Sequence, residues 1–400
     1  MKRPMMQTGI PYIGAIPTTW KTCRNKDVFA HSKEIVGDEW EDTQLLSLTT
    51  KGIKEKDINN PDGKLPESFS SYQTVHENQL VFCLFDLDQS AVFEGMSHYD
   101  GMISPAYTVL DCKQLIKPEF ADYWFAFVFT GRKFMYFAKN IRYTMGWDTF
   151  SQLSIPIPPL EEQERIVRFL DEETANIDHL IEKYERLLEL VAVQAETRWH
   201  QLFADLSTCP ERPLKRVLQK VTRPAFTGEG VITAFRDGQV TLRTNRREEG
   251  FTFSDTEDGY QGIEPGDLVY HGLDGFAGAV GVSDSHGNGS PVYHVCHPLT
   301  EQDNVHFLAA YLRFLGLSGF LATQAPNVRQ RSVDFRNWET FSRIPIRVPA
   351  RRDQDEIVTR LEEFKTSRET TEELTLKAIA LLRERRSALI TAAVTGQIEV

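Results

Sequence analysis

No unbroken apolar run in the chain reaches membrane-spanning length. The longest nearly continuous ones, such as Tyr123 to Phe129, match a strand or a buried helix segment. No N-terminal stretch couples a basic segment to an apolar core and a small-residue cleavage site, so a soluble, cytoplasmic protein with no membrane association is expected. The five cysteines (Cys23, Cys83, Cys112, Cys209, Cys296) are odd in number, scattered and never spaced C-x-x-C. They read as reduced structural thiols, because neither a disulfide framework nor a zinc site has that pattern.

Signatures of catalysis are equally scarce. A G-x-x-x-x-G-K-[ST] phosphate loop is missing, which argues against ATP hydrolysis by this chain. Neither Asn-Pro-Pro-Tyr nor Asp-Pro-Pro-Tyr occurs, as an adenine methyltransferase site would require, and there is no H-E-x-x-H. Phe276 to Gly281 is Gly-rich without the strand and helix that flank a cofactor loop. Pro61-Asp62-Gly63-Lys64 resembles half of a nuclease carboxylate site, but without a second acid-x-Lys it reads as a surface turn. His294, Cys296 and His297 are close in sequence, yet no second cluster completes a tetrahedral set. We therefore expect no catalysis, no metal and no cofactor in this chain.

What is present is size and pattern. Four hundred residues with 41% hydrophobic content can bury two or three separate cores. The formal net charge of -12 argues against a simple basic DNA-coating protein. The charge is segregated, however. Acid concentrates in two helical stretches (Glu161, Glu162, Glu164, Asp171, Glu172, Glu173; Glu362, Glu363, Glu369, Glu372, Glu373), whereas Lys51, Lys54, Lys56, Arg132, Lys133, Lys139, Arg142, Arg243, Arg246, Arg247, Arg329, Arg331 and Arg336 cluster elsewhere.

The chain also repeats itself once. SSYQTVHENQLVF aligns with DGYQGIEPGDLVY, pairing Tyr72 with Tyr260, Gln73 with Gln261, Leu80 with Leu268 and Val81 with Val269. Asp86 then meets Asp274, Ala91-Val92 meets Ala279-Val280, and the S-P-x-Y at Ser104 to Tyr107 meets Ser290 to Tyr293. Farther on, Asn140 and Arg142 pair with Asn327 and Arg329, Trp147 and Phe150 with Trp338 and Phe341, and Gln163, Ile166 and Val167 with Gln354, Ile357 and Val358. A common order over nearly the whole length indicates a duplicated unit of globular domain plus helix. Two copies are too few for a solenoid.

Each copy predicts mixed α+β structure, with short strand-like runs (Leu80 to Phe85; Asp267 to Tyr270; Pro291 to Val295) and helix-like stretches at Phe120 to Tyr136 and Asn304 to Leu315. Strand order is not readable. A long charged helix is expected after the proline-rich IPIPPL, since Gly and Pro are absent from Leu160 to Asp205. Ile177, Ile181, Tyr184, Leu188, Val191 and Ala195 recur at alternating spacings of four and three, placing them on one stripe. At about 1.5 Å per residue the helix extends on the order of 65 Å. The second helix, after Pro349, carries Ile357, Leu361, Phe364, Leu374, Ala378, Leu381, Leu382, Ala388, Leu389 and Ala392, and Gly396 can end it. Antiparallel pairing would bury both stripes. The expected boundaries are 1–158 and 207–348 for the globular domains, 159–206 and 349–396 for the helices, and 397–400 for a tail.

Together with this architecture, YIGAIPTTW (Tyr12 to Trp20), IPIPPLEEQERIV (Ile155 to Val167) and RRSALITAAVTGQIEV (Arg385 to Val400) resemble, in order, motifs of the specificity (S) subunits of type I restriction-modification systems. RVPARRDQDEIV departs from the acidic pattern at Ala350, Arg351 and Arg352. The resemblance implies two target-recognition domains, each reading one half of a bipartite, asymmetric site in double-stranded DNA. It further implies coiled-coil-like helices that fix the gap and dock two methyltransferase (M) subunits, which use S-adenosylmethionine, and a complex whose restriction (R) motor subunits use ATP and Mg. The residues of the two stripes named for pairing or docking are Ile177, Ile181, Tyr184, Leu188, Val191, Leu374, Ala378, Leu381 and Leu389.

Arg and Lys satisfy phosphates, Arg reads guanine, and Asn or Gln reads adenine. By residue type, the DNA-facing candidates are Lys51, Lys54, Lys56, Arg132, Lys133, Arg142 and Tyr143 in the first copy. In the second they are Arg243, Asn245, Arg246, Arg247, Arg329, Gln330 and Arg331. The alternative from another class is a DNA-independent coiled-coil scaffold.

Overall fold

The computed structural model describes residues 3–50, 52–57, 68–88, 94–138, 143–246, 259–325, 328–329 and 332–400, with backbone alone at 205, 328, 329 and 332. The chain folds as two compact units, Met1–Glu185 with Leu376–Val400, and Arg186–Thr375. Each contains one globular α+β domain and part of both long helices. No helix among the described residues is long and apolar enough to cross a membrane.

In the first unit a four-stranded antiparallel sheet runs in the spatial order Phe29–Ser32, Thr108–Cys112, Leu80–Phe82, Glu94–Met96. Leu80 lies opposite Leu110 and Val81 opposite Val109. Alternation sends Leu80, Phe82 and Leu110 into a core with the helix Pro118–Thr130, while Val81 and Val109 join Leu46, Ile53, Val75 and Ile103 on the other face. The second unit repeats this with Leu218–Lys220, Tyr293–Pro298, Leu268–His271 and Val280–Val282. There Leu268, Tyr270 and Cys296 pack with the helix Val305–Leu317, and Val269 and Val295 pack on the reverse face. Leu80 and Leu268, and Val81 and Val269, aligned in the sequence repeat, therefore occupy equivalent strands with equivalent facing.

The sheet-covering helices form for different local reasons. Pro118 stands at the start of the first, where its missing N–H is not needed. Asn304 caps the second, its side chain accepting from the N–H groups of His306 and Phe307. The first helix stops at Thr130 instead of continuing to Tyr136. It ends in a turn in which Arg132 N–H donates to Phe129 O (2.8 Å) and Lys133 N–H to Val128 O (3.0 Å), with Arg132 in the left-handed conformation at φ 48°. The equivalent position in the second unit is Gly319, at φ 81°.

In each domain an early strand pairs with the last. Lys21–Arg24 pairs with Ser154–Ile157, and Glu211–Pro213 with Pro345–Arg347. The long helices, Leu160–Ala204 and Arg351–Val394, begin immediately afterwards. Two buried glutamines fasten these starts. Gln163 accepts from Lys117 N–H (2.8 Å) and donates to Leu115 O (3.0 Å) and Pro158 O (2.9 Å). Gln354 accepts from Asn304 N–H (2.7 Å) and donates to Gln302 O (3.3 Å) and Pro349 O (2.9 Å). At the far end of the second helix, Gly396 takes φ 69°, and a side chain there would collide with Pro17 and Trp20. The N-terminal and C-terminal motifs thus meet in one core, which also holds Ile390, Ala393 and Val394.

Candidate nucleic-acid interface and helix faces

The basic candidates of the first unit fall into two places. Lys54 and Lys56 lie on the strand Gly52–Lys56, paired with Leu45–Thr49; Lys54 is exposed and Lys56 half-buried. Arg132 and Tyr143 meet the segment Leu84–Asp88 elsewhere, and Lys133 follows Arg132 in the turn after the sheet-covering helix. The exposed Arg132 guanidinium donates to the Asp88 carbonyl, and Leu87 N–H donates to Tyr143 O (3.4 Å). The Lys133 ammonium lies 4.7 Å from the Phe127 ring centroid, held there by cation–π attraction. Lys51 and Arg142 lie outside the described residues, as does the Pro61 to Lys64 turn.

Backbone conformation singles out the second of these places. Four non-glycine residues among those described have positive φ, and three of them, Asp86, Arg132 and Tyr143, border this loop cluster. Such conformations cost energy in L-residues and concentrate where surrounding structure imposes them.

In the second unit Arg243, Asn245 and Arg246 come together where the hairpin Ile232–Ala234 and Val240–Leu242 runs into a short turn. Arg243 donates to Thr233 Oγ1 (3.3 Å) and Asn245 to Thr241 Oγ1 (2.8 Å). Arg246 pairs with Asp237 (2.7 Å) and covers the Phe235 ring at 4.4 Å. Arg329 is in a two-residue strand, Val328–Arg329, paired with Ser332–Val333, so its backbone is placed at a hairpin. Arg247, Gln330 and Arg331 lie outside the described residues. The structure therefore assembles one basic turn in this unit from the named residues and puts Arg329 in a separate hairpin.

Beneath these surfaces, polar pairs that sequence reasoning missed hold equivalent strands together. Gln79 Nε2 donates to Asp111 Oδ1 (2.7 Å), and Gln79 Oε1 accepts from His76 N–H (2.8 Å). In the second unit the buried Asp267 takes the place of Gln79, accepting from Glu264 N–H (2.8 Å), and His297 takes the place of Asp111. Arg223 adds a salt bridge to Asp267, which holds the guanidinium more firmly protonated than usual. The acid has changed strands between the copies, so residue-by-residue alignment hides the equivalence.

His294 points the other way from its neighbour His297. It is buried against Tyr270, Trp338 and Phe341, with Nε2 on the Phe335 carbonyl at 2.7 Å. Burial lowers its pKa to about 4. It is therefore a neutral core histidine.

On the first long helix Ile177 and Ile181 are buried, while Tyr184, Leu188 and Val191 are half-buried along the same stripe. In the first unit Asp178 pairs with Arg386 (2.9 Å) and Glu185 with Arg383 (3.1 Å), so the two helix segments run antiparallel. In the second unit the Arg198 guanidinium lies over Phe364 at 4.6 Å. The second helix corrects the expected stripe. Leu374 and Leu381 are 61% and 66% exposed, and the buried positions in that stretch are Thr375 and Ile379. Thr375 sits there without a bare hydroxyl because Oγ1 donates to Thr371 O (2.7 Å). Ala378 and Leu389 are half-buried. With Leu180, Leu187, Leu190 and Val193 also exposed, the helices leave apolar side chains uncovered.

Residues 106–189, from the S-P-x-Y segment into the first long helix, match the family model of the type I restriction modification DNA specificity domain. None of the curated proteins matches the chain. Two solved structures share its fold over nearly their whole length. One is a chain from a type I R-M system solved for its complex assembly and conformational transition, with 15% identity, TM-score 0.64, and 96% of this chain and 99% of that chain covered. The other is the HsdS subunit from Thermoanaerobacter tengcongensis, with 15% identity, TM-score 0.56, and coverage of 96% and 98%. The resemblance to type I specificity subunits drawn from the sequence motifs holds in the domain match and in the fold.

Proposed function

We propose that this chain, which carries a type I DNA specificity domain, is the sequence-reading subunit of a type I restriction-modification complex. The specificity-domain match at residues 106–189 carries the reading. Duplication supports its bipartite form: two domains with the same sheet and helix present different surface residues, Arg132, Lys133 and Tyr143 in one and Arg243, Asn245 and Arg246 in the other. Different side chains on equivalent scaffolds suit two different half-sites.

The long helices suit a spacer. Each is unbroken over more than forty residues, and an α-helix is stiff enough to fix the separation and relative rotation of two groove contacts. Their exposed leucines suit docking of methyltransferase subunits, which would supply the adenine chemistry with S-adenosylmethionine, while motor subunits would supply ATP-driven translocation and cleavage. This chain's contribution is recognition in the cytoplasm and not catalysis.

Salt dependence of binding tests the proposal. With methyltransferase bound, the purified chain should hold a duplex containing its site, and log K should fall linearly with log salt, since phosphate contacts release counterions. The chain alone should neither cleave nor methylate DNA. Binding insensitive to salt, or helix-mediated assembly without any DNA binding, would favour a scaffold instead.

A further inference from the structure

We infer that Tyr136, on the turn that ends the first sheet-covering helix, is a DNA-stacking residue specific to the first recognition domain; this rests on the DNA-reading function proposed above. Tyr136 is 92% exposed, although it lies in an otherwise buried aromatic run. Phe134, two residues earlier, is fully buried and meets Tyr12, Phe125, Phe129 and Phe150 edge-on, and Phe137 packs on Tyr12. Backbone bonds from Met135 N–H to Arg132 O (3.2 Å), Phe137 N–H to Phe134 O (3.0 Å) and Ala138 N–H to Met135 O (3.1 Å) close the turn. The Tyr136 ring therefore stands on a pedestal fixed by its neighbours and serves no packing role in this unit.

The duplicated domain supplies the control. In the register that pairs Asn140 with Asn327, Phe134 corresponds to Leu321, and both are buried. Arg132 corresponds to Gly319, and both have positive φ. The fold demands a left-handed residue there, and glycine meets that demand without strain. The first domain instead retains Arg132, and next to it Lys133 and Tyr136 replace Phe320 and Thr323. Cations and an exposed ring thus appear together in one copy only, at a backbone cost the other copy avoids. An exposed ring close in sequence to Arg132 and Lys133 fits duplex DNA, wedging its face against a base step that the protein opens while the cations meet phosphates.

The test uses the full chain with its methyltransferase subunits bound and a duplex carrying the bipartite site that the wild-type complex methylates. Tyr136→Thr, which installs the residue of the second domain, should weaken binding about tenfold with an unchanged salt slope, as expected for lost stacking. Tyr136→Phe should retain near-wild-type affinity, and both should melt with the wild type. Arg132→Gly should also lower affinity, with a melting temperature no lower than wild type. Wild-type binding by Tyr136→Thr overturns the inference while leaving the proposed function standing. Loss of methyltransferase co-purification in that variant overturns it in favour of a protein contact. A wild-type complex that binds no duplex overturns both.

Discussion

Gln163 and Gln354 show how much one buried amide can fix. Each satisfies three backbone groups between the last strand of its domain, the sheet-covering helix and the long helix. Leucine at either position would fill the space and leave those groups unpaired, so Gln163→Leu should destabilise the chain by about 2–4 kcal/mol in denaturant unfolding. His294 makes a pH-dependent contribution. Its folded pKa of about 4 is below the usual 6.5, so the unfolded chain takes up a proton first as pH falls. The contribution is complete above about pH 6.5 and is lost progressively down to about pH 4, amounting to roughly 3 kcal/mol. His294→Phe should therefore show a shallower decline in unfolding free energy between pH 7 and pH 4 than wild type. Equal declines would mean that His294 titrates alike in the folded and unfolded chain, with no lowering by burial. The glutamines were legible as aligned pairs in the repeat. The histidine's environment was not, because a single His on a strand does not reveal which aromatic rings from distant segments cover it.

The long helices were legible from their length without Gly or Pro and from their apolar spacing, but the register of the second was not. Leu374 and Leu381 are seven residues apart, as a stripe requires, yet Thr375 and Ile379, displaced around the helix, are the ones buried. A threonine that bonds its own backbone can occupy a seam, and hydrophobicity alone ranks it below the adjacent leucine. Ile177→Ala and Ile379→Ala should each cost about 2–4 kcal/mol in thermal or denaturant unfolding, whereas Leu381→Ala should change stability by less than about 0.5 kcal/mol. Removing the half-exposed Arg386 to Asp178 pair should cost no more than about 1 kcal/mol. The strands resisted prediction for a different reason. Most are three to five residues long, too short for alternation to establish either their extent or their order. The sheet order followed only from which residues pair across distant segments.

At the scale of the whole molecule, duplication is the feature that links sequence to function: the same scaffold twice, with different surface chemistry on each copy. It was readable from the ordered matches alone. The proposed recognition surface was only partly readable, since Arg and Lys identify basic turns but Tyr136 in a Phe-rich run looks like core. If the helices set the gap, inserting one heptad into each should lengthen them by about 10 Å, and the methylated motif should gain roughly three base pairs between its halves. The central claim is tested most directly by mapping N6-methyladenine at single-base resolution in cells expressing the cognate methyltransferase subunit, with and without this chain. A bipartite motif with a fixed gap should become methylated only when the chain is present. An unchanged methylation pattern, despite co-purification of the two proteins, would contradict it.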